Sequence, residues 1–274
     1  MLIAQITDTH IKAGGRLAYR QVDSAAKLRA CVAQLNALQT PPDLVLLTGD
    51  LVDLGRDEEY AVLRELLAPL RMPVYAIPGN HDDRAALRRA FAVEGYLPAQ
   101  GPFLHYVVEE HPLRLIGLDT TIPGQPGGEL CAERLAWLAA RLAEAPQRPT
   151  ALFMHHPPFV TGLANMDRQN CANGEALGDL LEQHRQVRHV LCGHVHRPIH
   201  THWRGVTTSI APSPSHSCVL DFDPQASHDF VLEPPTCALH YWNAEAGLLI
   251  SHLVFIGDFG GRFPFYDEQG RLID

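Results

Sequence analysis

No run of about 18 apolar residues, the length a helix needs to cross a bilayer, occurs in this sequence. Its opening stretch, MLIAQITDTHIKAGGR, also lacks the basic start and small-residue cleavage pattern of a secretory signal. A soluble, unexported, cytoplasmic chain with no membrane partner is therefore expected. Positive charge is scarce as well: 22 Lys and Arg against 31 Asp and Glu give a net charge of −9. General binding to nucleic acid needs a basic surface, so that partner is not expected. A small anion held in a local site remains compatible. The six cysteines (Cys31, Cys131, Cys171, Cys192, Cys218 and Cys237) never fall into C-x-x-C spacing, so reduced thiols are expected. There is no internal repeat and no low-complexity segment.

What the chain does have is enough apolar material for a substantial core: 46% apolar residues against 19% charged, which argues against disorder. Apolar runs rich in β-formers, LIAQIT (Leu2–Thr7), DLVLLTGD (Asp43–Asp50), PVYAIPGN (Pro73–Asn80), LRLIGLDTT, TALFMHH and VRHVLCGH, are bounded by Gly and Pro. Between them lie helical patterns over Val22–Leu38, DEEYAVLRELLAPL, DRAALRRAFAV, Ala132–Ala145 and Glu175–Arg185. That alternation predicts an α/β domain with a largely buried sheet. After His196 the helical period disappears. IHTHWRGVTTSIAP reads as strands around a turn at Arg204-Gly205, and DFDPQASHDFVLEPPT reads as a loop. CALHYWNAEAGLLISHLVFI reads as a hairpin turning at Asn243–Gly247. The expected division is a catalytic domain over 1–220 and a small C-terminal β extension over 221–274, serving as cap, sheet or dimerisation element. Self-association into a homo-oligomer is compatible with it.

Sixteen histidines are many for this length, and several fall at strand ends together with acids and amides. Asp8 and His10 follow the first run, two apart, so both are expected on one side of a strand. Asp50 closes the second run after Gly49, and Asn80 and His81 close the third after Gly79. His155 and His156 close a later one, and His194 and His196 follow VLCG. In open α/β sheets ligands bind beyond the carboxyl ends of the strands. Asp8, His10, Asp50, Asn80, one of His155 and His156, His194 and His196 make seven candidate metal ligands, too many for one tetrahedral ion. With Asp50 shared, two divalent ions would each receive four protein groups. The mixed N/O donor set suits Mn, Fe or Zn. Two dications against two carboxylates leave a positive field for an anionic ester. His200 and His202 repeat the H-x-H spacing but follow no apolar run and no glycine, so they are expected to be ordinary strand residues. Asp82 and Asp83 are expected to cap the helix starting near Arg84.

The motifs DTH, GDLVDLG, GNHDD, MHHPP and GHVH, in this order between Asp8 and His196, resemble those of the calcineurin-like metallophosphoesterases. Within that superfamily the chain is most similar to class III cyclic-nucleotide phosphodiesterases and the bacterial glycerophosphodiesterases akin to them. The resemblance implies two packed β-sheets flanked by helices, with a dimetal centre at the strand ends. It implies that the histidine two before the proline, His155, is the ligand, leaving His156 to orient neighbours. It also implies that His81 meets the phosphoryl oxygen or protonates the leaving alkoxide. For His216 a solvated loop position is the default, although the resemblance places a histidine of this kind near substrate.

The expected reaction is metal-assisted hydrolysis of a small phosphodiester by attack of a metal-bridging hydroxide. Leu54 stands where protein phosphatases carry an Arg that would clamp a phosphomonoester dianion, which favours a monoanionic diester. Asp53 stands where purple acid phosphatases carry a metal-bound Tyr. The expected substrates are 3′,5′-cyclic nucleotides such as cyclic AMP. A glycerophosphodiester is the alternative, a phosphomonoester or nucleotide a weaker one, and a metal-poor binding scaffold the reading from another class.

Overall fold

The computed structural model describes all 274 residues. Eleven strands and five helices carry the architecture. The first half runs β1 (Leu2–Ile6), α1 (Ser24–Ala37), β2 (Leu44–Thr48), α2 (Asp57–Leu67), β3 (Val74–Ile77), α3 (Arg84–Ala90), β4 (Tyr106–Val108) and β5 (Arg114–Leu118). The second half runs α4 (Ala132–Glu144), β6 (Thr150–Met154), α5 (Gly174–Gln183), β7 (Val187–Cys192), β8 (Ile199–Trp203), β9 (Val206–Ile210), β10 (Thr236–Asn243) and β11 (Leu248–Phe255).

The strands form two mixed sheets, ordered β11-β10-β1-β2-β3 and β8-β9-β7-β6-β5-β4. In the first, β1, β2 and β3 are parallel and the hairpin β10–β11 adds on antiparallel, Ile3 opposite His240. The terminal hairpin thus supplies two strands of the first sheet. In the second, β9, β7, β6 and β5 are parallel, with β8 and β4 antiparallel at the two edges.

Alternation along the strands explains the layering. Ile3, Leu44, Leu46 and Ile77 of the first sheet meet Leu115, Ala151, Phe153 and Leu191 of the second in one inter-sheet core. The opposite faces of β1 and β2, with Ala4, Ile6, Val45 and Leu47, pack on α1 and α2 through Leu28, Leu35 and Leu63. The outer face of the second sheet packs likewise on α4 and α5 through Leu138, Leu177 and Leu181. Covered on both faces, the parallel strands read as nearly continuous apolar runs. Because β1, β2, β3, β6 and β7 are parallel within their sheets, their carboxyl ends deliver consecutive loops to a shared edge.

Asp83 caps α3, accepting from Ala86 N at 2.8 Å. Asp82 does not cap, contrary to expectation. Its carboxylate is turned inward, accepting from Gly79 N at 2.9 Å, Leu51 N at 3.1 Å and the Tyr60 hydroxyl at 2.7 Å. It therefore ties the loop after β3 to the loop after β2. His200 and His202 occupy exposed positions on β8, and all six cysteines are free. No helix is long and apolar enough to cross a membrane.

Candidate metal centre and active site

Each strand end turns sharply to present its polar residue. Asp8 (φ 55°), His10 (φ 46°), Asp50 (φ 50°), His194 (φ 75°) and His196 (φ 58°) all hold left-handed backbone. Such conformations cost non-glycine residues about 1–3 kcal/mol each and persist only where the surroundings enforce them. Here the enforcement is partly visible: Asp8 N donates to Gly49 O at 2.9 Å and His10 N to Asp50 O at 3.0 Å. Asp8 and His10 do share the site, but not by strand alternation, since β1 ends at Ile6. Gly193 permits the closest approach. A Cβ there would lie 2.1 Å from Thr7 Oγ1 and 2.8 Å from Thr48 O.

The seven expected ligands converge. His196 Nε2 lies 3.2 Å from Asp8 Oδ1, and His10 Nε2 lies 3.4 Å from His196 Nε2 and 3.8 Å from Asp50 Oδ2. His155 Nε2 lies 3.4 Å from Asp50 Oδ2 and 3.2 Å from Asn80 Oδ1. His194 donates its backbone N–H to Asp8 Oδ2 at 3.0 Å, while its Nε2 is buried without a partner.

The other ring nitrogens decide what this convergence means. His155 Nδ1 faces the Thr48 carbonyl at 2.8 Å, His196 Nδ1 the His216 carbonyl at 3.1 Å, and His10 Nδ1 the Asp53 carboxylate at 3.3 Å. An acceptor-only partner places the proton on Nδ1 and leaves Nε2 a lone pair. Three such lone pairs then point at carboxylate and amide oxygens, and only a cation satisfies that arrangement. The residues present fit two divalent ions: Asp8, His10, Asp50 and His196 can surround one, and Asp50, Asn80, His155 and His194 the other.

The charges agree. Burial alone would raise the Asp50 carboxyl, but the facing His155 and His81 imidazoles hold it well below the usual carboxylate range. Burial likewise works against a charged His155, yet Asp50 and Asp8 raise it to about 9. The two carboxylates thus demand positive charge at this point, as a proton or as a metal ion. His194, deep in the site beside His156 and His155, is pushed well below its ordinary value by burial, so it stays neutral and able to ligate.

His156 is a neighbour of a different kind. Both histidines lie in a bend beyond the end of β6, with ring planes at 89° and centroids 4.7 Å apart. His156 Nδ1 meets Thr120 Oγ1 at 2.7 Å and its Nε2 meets the Pro126 carbonyl at 3.2 Å. Both nitrogens are occupied, so no lone pair is left for a metal.

His81 donates from its backbone N–H to Asp50 Oδ1 at 2.8 Å, and its Nδ1 is held by the Asp53 carbonyl at 2.9 Å. Its ring stands edge-on to His10, centroids 4.6 Å apart, and lines the pocket. Burial disfavours its charged form, but Asp50 and Asp53 outweigh burial and raise its proton affinity.

Above the donors lies a pocket of about 370 Å³. Its outer wall brings in Met166 and Gln169 from the loop Asn165–Asn173 and Phe230 from the tail after Pro212, segments expected from the sequence to shape selectivity, together with Tyr19, which the sequence did not flag. His216 is not a solvated loop residue, the default expected of it. It is buried, 4.4 Å from the His196 ring, and it too lines the pocket. Tyr19 had a faint signal, an aromatic just before a turn. Phe230 had no signal of its own, only its place in the tail after Pro212, a stretch that reads as loop.

Two sheets that deliver acidic, histidine and amide donors to one edge, with a small pocket above them, define a binuclear metallohydrolase. Residues 1–198 match the model of the calcineurin-like phosphoesterases, and the chain belongs to that family. It is 44% identical, over the full length of both chains, to a probable glycerophosphodiester phosphodiesterase of Arcobacter nitrofigilis. It is 33% identical to the 3′,5′-cyclic adenosine monophosphate phosphodiesterase of Escherichia coli, covering 82% of this chain and 79% of that one. Among solved structures it resembles a dimetal phosphatase of Danio rerio, with a TM-score of 0.65 at 17% identity, covering 94% of this chain and 99% of that one. The protein is a metal-dependent phosphodiesterase of this family, and its cofactors are two divalent metal ions.

Proposed function

We propose that the substrates are small glycerophosphodiesters, hydrolysed at the centre formed by Asp8, His10, Asp50, Asn80, His155, His194 and His196. The observation that carries this reading is that five of these donors, His10, Asp50, Asn80, His194 and His196, line one pocket of about 370 Å³, room for a single small diester. Part of that pocket's outer wall, from His216 to Phe230, lies beyond the family-matched residues 1–198. Similarity over the whole chain therefore bears most on the substrate, and there the probable Arcobacter glycerophosphodiesterase, at 44% identity, is more similar than a probable cyclic nucleotide phosphodiesterase of Rhodopseudomonas palustris, at 35%.

When bound, the two ions activate a water and draw charge from the phosphoryl oxygens. The protein's own groups do the rest. Asp50 joins the two halves of the site. Asn80 donates an oxygen without adding negative charge that would repel the ester. His81, held at Nδ1 by the Asp53 carbonyl, carries a second proton at Nε2 in its imidazolium form, which Asp50 and Asp53 favour, and gives that proton to the leaving alkoxide. His216 and Tyr19 close the pocket.

A second reading, 3′,5′-cyclic nucleotides, is favoured by one feature: the rings of Tyr19, His216 and Phe230 cluster within 5.1–5.3 Å at the mouth and offer a face for a base. Rates on glycerophosphoethanolamine, glycerophosphoserine and cyclic AMP with the Mn²⁺- or Zn²⁺-loaded enzyme test the choice. Turnover of cyclic AMP with none of the glycerol diesters would replace the first reading by the second.

Self-association belongs to the same proposal. β11 is an outer strand of its sheet with one free edge, and the following residues expose Phe259, Phe263, Phe265 and Tyr266.

A further inference from the structure

Beside the catalytic pocket lies a second, more open cavity of about 550 Å³, lined by Lys12, Arg16, Leu17, Tyr19, Arg20 and Asp53. Tyr19 lines both and stands between them, its hydroxyl 3.5 Å from His10 Nδ1. Three of the six lining residues are cations, in a chain whose net charge is −9. The only lining acid, Asp53, is already engaged by Lys12 and His10. Arg16 touches only the Ala13 carbonyl, at 3.2 Å, and Arg20 has no partner; both are exposed.

The backbone here forms a tight turn in a sparsely populated conformation. Tyr19 (φ 48°) and Arg20 (φ 61°) are consecutive non-glycine residues in the left-handed region. They form the tip of a turn closed by reciprocal hydrogen bonds of 2.9 Å between Ala18 and Val22. Ala18 and Val22 are buried, while Tyr19 and Arg20 project outward. Two adjacent residues in this conformation are costly, and such strain gathers where a side chain must be aimed. The turn aims Tyr19 at the catalytic pocket and Arg20 into the cavity beside it.

We propose that Arg16 and Arg20 form a subsite for a second anionic group, a carboxylate or phosphate, carried by one alcohol of the diester. The phosphodiester sits over the metal donors while its charged arm crosses Tyr19 to the two guanidiniums. Guanidinium pairs carboxylate and phosphate through two parallel N–H donors, which suits an arm that arrives from one side. Lys12, spent on Asp53, keeps that carboxylate from repelling it.

The test does not require the glycerol reading. Two chromogenic diesters are compared, p-nitrophenyl butyl phosphate and p-nitrophenyl 3-carboxypropyl phosphate, which match in length and differ in the charge of one arm. The wild-type enzyme is expected to prefer the carboxylated diester through KM. In the variant carrying Arg16→Gln and Arg20→Gln the ratio of the two kcat/KM values falls about tenfold, whereas Arg16→Lys with Arg20→Lys keeps most of it. In the wild type the preference shrinks as salt rises from 0.02 to about 0.5 M, as an exposed charge contact must. A ratio that is the same in wild type and Gln variant overturns the proposal, as does a preference indifferent to salt. Glycerophosphoserine and glycerophosphoethanolamine assayed alongside separate the two readings, because failure of both to turn over counts against the glycerol substrate while leaving the chromogenic ratio intact.

Discussion

His155 Nδ1 lies 2.8 Å from the carbonyl oxygen of Thr48, at the end of the strand that leads to Asp50. That one contact fixes the tautomer, aims the Nε2 lone pair at Asp50 and Asn80, and distinguishes His155 from the histidine next to it. His155→Ala is expected to lose one of the two metal ions by elemental analysis, with activity reduced at least a hundredfold. His156→Ala, which loses its contacts to Thr120 and Pro126, is expected to retain both ions. The reverse result would mean that His156 supplies the ligand.

Removing the metals should abolish the reaction. Dialysis against a chelator is expected to stop hydrolysis of bis(p-nitrophenyl) phosphate, and Mn²⁺ or Zn²⁺ to restore it. Full activity in a preparation shown by elemental analysis to be metal-free would contradict the assignment of the centre.

Asp82 holds the loops of Asp50 and Asn80 together through four donors, the backbone N–H groups of Leu51, Val52 and Gly79 and the Tyr60 hydroxyl. In Asp82→Asn one oxygen becomes an amide facing N–H or O–H groups, so a loss of about 1–3 kcal/mol in urea unfolding is expected. Tyr60→Phe, which removes a single donor, should cost about 1 kcal/mol. Unchanged midpoints in both would show that the clamp is dispensable.

Acid sensitivity should come from buried histidines outside the metal centre. Burial lowers His105 and His189 to about 4 and His240 to about 3. Their unfolded-state value is near 6.5, so the unfolded chain takes up protons first as pH falls. Their contribution is complete above about pH 6.5 and is lost on descent towards pH 4 and then 3. At about 1.4 kcal/mol per unit of separation, His105 and His189 are each worth on the order of 3 kcal/mol and His240 on the order of 5 kcal/mol. Urea midpoints measured at pH 7, 5 and 4 should fall steadily, and His189→Gln should flatten the slope. A midpoint independent of pH in that window would refute this account.

Self-association is read by sedimentation velocity. The wild type is expected to run as an oligomer, and Phe263→Asp with Phe265→Asp to run as a monomer. A wild type that is monomeric at micromolar concentration would remove the exposed tail as an interface.

Much of the centre was legible because its chemistry is written locally. Asp8, His10, Asp50, Asn80, His155, His194 and His196 each follow an apolar run, and a polar donor at the end of a buried strand is conspicuous. The two-sheet core was legible for the same reason: runs such as LVLLT must be covered on both faces. Contacts made at long range were not legible. Asp82 reads as a cap because its neighbour is one, and only folding brings Leu51, Gly79 and Tyr60 to it. His216 reads as solvated because the APSPSHS stretch is polar, yet it packs against His196. Tyr19 and Phe230 meet across more than two hundred residues.

The sequence by itself determined which side chains can ligate, and the order of strands and helices that carries them. These follow from side-chain chemistry and from apolar periodicity, both local properties. Tertiary structure alone decided which nitrogen of each histidine faces the metals, since that depends on which distant carbonyl or carboxylate meets the other nitrogen. It also decided that five of the candidate ligands adopt left-handed backbone, that residues 236–255 complete the first sheet, and that Arg16 and Arg20 stand beside the catalytic pocket. Each of these depends on groups far apart in the chain arriving at the same place, and no single stretch of sequence records that.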